Sequence, residues 1–330
     1  MKIQTVSGLI GIFIGFILPS VNASDAIIVY SARMAHLIKP LFDAYTQKTG
    51  VAVKFISAKE EELLDRLVIE GENTPADLLL TVDVGNLWLA TEKDVLRPID
   101  SALLDKNIPP HLRDPEKRWV GLSVRARPIM YNTETIKPEN LKDYADLADP
   151  KWHGKLCLRT AKKVYNQSLV AMFIARYGEA QTRNLLTGWV NNLALPVLAS
   201  DTQVIESIAN RQCEIGIANT YYLGRLQHDN PQLPVAIHWH DGVHINISGA
   251  GVTKYAKHPE LATQLLEWLS SEEAQDQFAE LNFEYPANPQ VKLSHIVEKW
   301  GKFNAETLHV SEAGRLQAQA TRLMEEVGYH

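Results

Sequence analysis

The chain is 330 residues long, 45% hydrophobic and 22% charged, with a formal net charge of −6 and a pI near 6.0. That length suggests two domains. The mild acidity offers no basic field for nucleic acid and no acidic run long enough for a disordered tail.

The first predicted element is a leader. "MKIQTVSGLIGIFIGFILPSVNASDA" carries Lys2, runs without charge from Leu9 to Leu18 and closes on Val21-Asn22-Ala23, a small-x-small pattern. An apolar core of about ten residues is short for a membrane span and suits the h-region of a signal peptide. Residues 1–23 are therefore predicted to be a signal peptide, with an exported, soluble mature protein; a buried N-terminal helix is the competing reading.

From Asp25 onward strands and helices alternate. "AIIVYS" reads as a strand, and "AHLIKPLFDAYTQKTG" as a helix with apolar spacing at Leu37, Leu41, Phe42 and Tyr45 before a Gly50 stop. "VAVKFIS" is a strand, "AKEEELLDRLVIEG" an amphipathic helix, and "ADLLLTV" a run apolar on both faces, as in a buried parallel strand. A second region opens with "GLSVRARPIMYN", read as a strand, and continues through the strand "GKLCLR", the helix "NQSLVAMFIARYG" and the run "ALPVLAS". The helix "DTQVIESIANRQ", the strand "CEIGIAN" and the return strand "HINISGAGVTKYA" follow. "PELATQLLEWLSSEEAQDQFAE" reads as one helix, and the tail from Leu293 as helical to the end. Units of this kind predict an α/β protein of two lobes, each a mixed, mainly parallel sheet flanked by helices. Its ligand would sit beyond the strands' carboxyl ends and be enclosed by a hinge.

Cys157 and Cys213 can bridge in an oxidising compartment or stay as buried thiols. Tyr221 and Tyr222 follow the strand "CEIGIA" and the capping residues Asn219 and Thr220, so they fall at a strand's carboxyl end facing the cleft. Neighbouring helical positions diverge by about 100°, so the two phenols are expected to grip one small object rather than stack on each other. One buried and one exposed tyrosine is the plainer alternative. Phenolate is a hard donor suited to a hard, highly charged ion. Tyr165, at the mouth of the helix after "GKLCLR", is a third candidate, against a packed cap aromatic. Arg125 and Arg127 share one side of the expected strand and could hold a planar oxyanion, or form a solvated face. His238, His240 and His244 make a competing patch without the spacing of a known zinc site.

Taken together, "VYSARM", "PADLLLTVDVGNLW", "GLSVRARPIMYN", "YADLADPKWHGKLCLR", "VYNQSLVA", "IANTYYLGRL" and "HINISGAGV" resemble, in order, the periplasmic ferric-ion-binding proteins of bacterial iron ABC transporters, in their tyrosine-rich branch. The resemblance spans essentially the whole mature chain. It implies a type II binding-protein fold, with residues 24–122 and 248–298 as the N-terminal lobe and 123–247 and 299–330 as the C-terminal lobe. It further implies Fe(III) held by Tyr165, Tyr221 and Tyr222, with a synergistic carbonate, bicarbonate or other small anion on Arg125 and Arg33. Arg225 and Arg127 would orient the ligands and balance charge. Three phenolates neutralise Fe(III), and Arg125 matches one anion. The implied partners are an inner-membrane permease and its ATPase, for a monomeric, non-enzymatic protein of the periplasm.

The departures from the family pattern lie in the N-terminal lobe. Met34 and Ala35 stand where relatives often carry a histidine, and Val82 followed by Asp83 where others use a glutamate. That lobe is therefore expected to offer no strong metal ligand, with His36 and Asp83 as open questions. The rival readings are an oxyanion or polyamine carrier and, in another class, an enzyme using Cys157 as nucleophile.

Overall fold

Two sheets organise residues 26–330, which the computed structural model describes; the leader expected at 1–23 lies outside the described residues. The strands are β1 (Ile27–Ser31), β2 (Val53–Ser57), β3 (Leu78–Val82), β4 (Val120–Ala126), β5 (Ile129–Asn132), β6 (Leu156–Cys157), β7 (Ile215–Ile217), β8 (Val235–His238), β9 (Ile245–Val252) and β10 (Tyr285–Pro286). One sheet has the order β10-β4-β9-β3-β1-β2, the other β6-β7-β5-β8. Parallel pairing joins β1 to β2, β1 to β3 and β6 to β7. The return strands β9 and β5 and the edge strands β10 and β8 pair antiparallel, so antiparallel pairing is more extensive than the strand–helix alternation suggests.

Alternation along β1 sends Ile27 and Val29 into one core and Tyr30 into the other, as the two-residue strand period requires. On β4 that alternation is broken. A bulge between Gly121 and Ser123 shifts its register against β9, so Val120 and Leu122 join one core while Val124 and Ala126 join the other. Ser123 and Arg125 are thereby turned to the opposite face from Val124 and Ala126. Bulges commonly re-aim side chains in this way beside a site.

The stretch "GLSVRARPIMYN" is two strands in two sheets, not one. Pro128 lacks an N–H and cannot continue the ladder, and the chain crosses between sheets there. It crosses back between His238 and Ile245. The large sheet thus runs through Ala126 and resumes at Ile245, a few residues inside the C-terminal segment expected at 123–247.

Other local expectations also change. "ALPVLAS" makes only one isolated bridge, Leu198 to Arg159, after the bridge from Leu193 to Leu156 just before it. The long helix after His258 is two, Pro259–Leu269 and Glu272–Asn282, because Ser271 caps the second by accepting from the Ala274 N–H. The tail is helical only at His295–Lys299, Ser311–Arg315 and Gln317–Glu326. The last of these packs on the helices Val164–Tyr177 and Glu179–Asn191. The helix Ser311–Arg315 instead sits between Val84–Glu92 of the first lobe and Val164–Tyr177 of the second. Gly314 permits that approach, since a Cβ there would come within 2.5 Å of the Trp88 Cβ.

Cys157 and Cys213 form a disulfide with their Cα atoms 5.9 Å apart, 56 residues apart in sequence. A loop of that size corresponds to about 4 kcal/mol of stabilisation on the chain-entropy account. The bridge leaves no thiol for the nucleophile that the enzyme reading requires. Among the described residues no helix is long and apolar enough to cross a membrane.

Candidate functional site

A cavity of about 220 Å³ opens between the lobes, lined from both sides. A hollow of about 250 Å³ between Leu67 and Tyr255 lies on the first lobe alone, away from the phenols.

The C-terminal wall is built at helix beginnings. Tyr165 lies in the first turn of Val164–Tyr177, and Tyr221 and Tyr222 in the first turn of Thr220–Asp229. Both elements follow strand ends, which brings the phenols to the cleft. The Tyr221 hydroxyl donates to the Tyr165 oxygen at 3.2 Å, with both side chains buried. The rings of Tyr221 and Tyr222 lie face to face, centroids 4.2 Å apart and tilted by 33°. This corrects the expectation that neighbouring phenols diverge: rotation about the side-chain bonds overrides the 100° step of the backbone. Arg225 lies one turn on, 5.1 Å from the Tyr221 ring centre and 5.8 Å from that of Tyr222, on the face that both share.

Around the Tyr165 ring stand Lys163 at 5.0 Å, Arg125 at 5.4 Å and Arg159 at 5.5 Å. Burial pushes the Tyr165 phenol up to about 12, with Arg125 pulling the other way. Burial likewise raises Tyr221, and the neighbouring phenols Tyr165 and Tyr222 add to the shift. Both hydroxyls therefore keep their protons at neutral pH.

The two arginines of "RAR" separate. Arg125 lines the cavity, donates one Nη to the Ile247 carbonyl and leaves Nε unpartnered in the interior. Arg127 points away from the cavity and donates to Asn166, Asp201 and Asn219. Those residues open the helices that carry Tyr165, the segment Asp201–Ala209 and Tyr221. One buried guanidinium thus fixes three helix starts and the spacing of the phenols. The pair does not share an anion, because β4 ends between them. The Asn219 side chain is used on Arg127 rather than as a cap.

The N-terminal wall holds a residue that sequence reasoning missed. Glu284 is buried on the cavity, accepting from both Nη atoms of Arg33 at 3.0 and 3.2 Å and from the Ser123 hydroxyl. Burial would raise its carboxyl, but Arg33, Arg125 and Ser123 outweigh it and hold Glu284 below the usual range. The N-terminal lobe, expected to offer no strong metal ligand, thus brings two carboxylates to the cavity, Glu284 on Arg33 and Glu60 at the rim. The available signal was the acid in "NFEYPANP", which only the antiparallel docking of β10 on β4 brings to the cleft. Arg33, expected to bind anion, is committed to Glu284 and to the Ser248 hydroxyl at 2.7 Å.

His36 is exposed and does not line the cavity. Asp83 is buried but engaged elsewhere, accepting from Gly85, Ser168 and Asn246. The three histidines do not converge: His238 contacts the Lys142 carbonyl, His240 the Asp241 carbonyl, and His244 is buried with neither ring nitrogen partnered. Among the described residues no group of three His, Cys, Asp or Glu side chains is placed to hold a metal. Oxygen donors from tyrosine are the alternative present.

Two α/β lobes joined by crossing strands, with one polar cleft between them, define a solute-capturing binding protein of the type II form. Residues 73–305 match the bacterial extracellular solute-binding protein family, and the chain belongs to it. Iron uptake protein A1 of Synechocystis is 40% identical over 91% of this chain and 86% of its own. A Trichodesmium protein (IdiA, FutA) solved in complex with iron and citrate superposes with a TM-score of 0.88 at 41% identity, covering 92% of this chain and all of its own. The ferric binding protein of Campylobacter jejuni does so with a TM-score of 0.86 at 33% identity, again over 92% and 100%.

Proposed function

We propose that this protein captures Fe(III) in the interlobe cleft through Tyr165, Tyr221 and Tyr222, and delivers it to an inner-membrane permease energised by an ATPase. The observation that carries the reading is the contact of two buried phenol oxygens, 3.2 Å apart, within a ring of cations. A hard trivalent ion displaces the phenolic protons, and three phenolates then match its charge. Similarity to proteins named for iron uptake and ferric iron binding supports the same cargo.

The cations determine what accompanies the metal. Arg33 is neutralised by Glu284, and Lys163 lies 4.0 Å from Glu60. Arg125 and Arg225 remain in excess on the cavity, and Arg159 shares Asp201 with Arg127, so an anion completes the site, docked on Arg125. Carbonate and citrate both meet this requirement, and citrate accompanies iron in the Trichodesmium relative. A polyamine carries the wrong charge for this lining, which removes that part of the rival reading. An oxyanion carrier without metal is the second reading, favoured by the same excess of arginine.

The test is a visible absorption titration of the mature protein with ferric citrate and bicarbonate, beside Tyr221→Phe. A phenolate-to-iron charge-transfer band, strongly reduced in the variant, is the expected result. A folded protein with iron in excess and no band would move the assignment to the oxyanion carrier. Export through residues 1–23 and a monomeric state in solution belong to the same proposal, checked by N-terminal sequencing and light scattering of the secreted protein.

A further inference from the structure

Beside its apolar packing, two polar contacts that flank Tyr165 join the helix Val164–Tyr177 to the opposite lobe. At its outer end Lys163, the capping position, lies 4.0 Å from Glu60, the first residue of the helix Glu60–Glu70. Both side chains are partly exposed. One turn beyond Tyr165, the buried Ser168 hydroxyl donates to Asp83 Oδ1 at 2.7 Å.

Asp83 is built for that contact. It follows the last residue of β3 and has φ 74°, ψ 131°, a backbone region that non-glycine residues rarely occupy. Its carboxylate accepts from the Gly85 N–H at 2.9 Å, capping the helix Val84–Glu92, and from the Asn246 side chain at 2.6 Å. Asn246 in turn lies on β9, just past the point where the chain crosses between lobes, and its own oxygen accepts from the Val84 N–H. Burial pushes the Asp83 carboxyl up to about 6, with Ser168 and Gly85 pulling it back, so at pH 8 it is an ionised acceptor. The Ser168 hydroxyl is thus the donor that the second lobe supplies to an acceptor pre-aimed by the first.

We propose that Ser168–Asp83, with Lys163–Glu60 as its exposed counterpart, is a cross-lobe latch on the Tyr165 helix that sets how long the cleft stays closed over its cargo. Ser168 and Asp83 are positioning residues and touch no cargo. The latch builds on the reading of the cleft as the cargo site, and its test separates the two.

Ser168→Ala, Glu60→Gln and the double variant would be loaded with ferric ion at pH 8 and chased with excess chelator in a stopped-flow instrument. Small-angle scattering would follow the iron-free proteins. Loss of a buried bond to a carboxylate should speed iron release about ten-fold in Ser168→Ala, with the charge-transfer band unmoved in wavelength. Glu60→Gln should change the rate about two-fold, as an exposed pair does, and the two effects should multiply. The iron-free Ser168→Ala protein should show a larger radius of gyration than the parent. Unchanged release and unchanged radius in a folded Ser168→Ala variant would overturn the latch. If Ser168→Ala does not fold, Asp83→Asn, which removes the charge that the Ser168 hydroxyl donates to, carries the same comparison. A parent protein without an iron band overturns the cargo reading instead, and the scattering comparison then decides the latch alone.

Discussion

On the N-terminal wall of the cleft, Arg33 and Glu284 face each other, with Ser248 accepting from Arg33 and Ser123 donating to Glu284. On the C-terminal wall, Tyr165 and Tyr221 face each other with cations around them and no carboxylate between. The first wall pairs its charges before anything arrives, with Arg33 and Glu284 joined through both Nη atoms of the guanidinium. The second wall keeps two acidic protons in a positive environment. On the reading proposed above, the first wall keeps its charge when cargo binds and the second changes it, so selectivity for a hard cation and its anion would reside mainly in the second.

Breaking the first wall should have the largest effect, on stability. Glu284→Gln leaves the Arg33 charge buried and unpaired, and urea unfolding should show a loss of about 3–5 kcal/mol. The iron band should keep its wavelength in that variant. A stability change below about 1 kcal/mol would mean that the ion pair is not what neutralises this wall.

Breaking the second wall should spare the fold and lower the affinity. Tyr165→Phe keeps the buried ring and removes one donor. Partners that merely orient metal ligands are each worth 10–100-fold in affinity, so loss of the donor itself should cost at least about a hundred-fold, measured by chelator competition.

The walls should also differ in pH response. The buried phenols must lose protons to bind metal, so protons compete and affinity falls as pH falls, by about ten-fold per pH unit for each phenol that ionises on binding. Glu284 is held below the usual range and should add nothing to that slope above pH 5 or so. A flat iron affinity between pH 8 and 6 would remove phenolate coordination.

The smallest effect lies where the chain crosses between the lobes. Burial, then Arg127 and Arg125, push the His244 imidazole down to about 3, so it is neutral in the fold and protonated when unfolded below its ordinary 6.5. Its contribution is complete above that pH and is lost as the pH falls toward 3. Asp83 has the opposite sign: with its carboxyl near 6, it adds stability as the pH falls from 6 toward 4. In thermal melts of the iron-free protein, His244→Gln should flatten the acid loss and Asp83→Asn should steepen it, each by up to about 1 kcal/mol per pH unit.

The legible part of the site was the part encoded by local order. Tyr221 and Tyr222 follow a strand and capping residues within a few positions, and Tyr165 follows another strand, so their placement at strand ends could be read directly. Glu284 could not. It reaches the cleft only because β10 docks on β4, more than 150 residues earlier in the chain. The stacking of Tyr221 on Tyr222 was also hidden, because side-chain rotation rather than helix periodicity decides it.

By itself the sequence determined the alternation of strands and helices, the apolar run of β3 and the corners where phenols meet the cleft. Each follows from periodicity and termination signals confined to one short segment. Tertiary structure alone decided which arginine reaches the cavity. The strand ends at Ala126, between Arg125 and Arg127, and the carboxylates at Glu284 and Asp201 then claim Arg33 and Arg127. A charge finds its partner through space, and the energy of that pairing depends on burial and distance that no local pattern encodes.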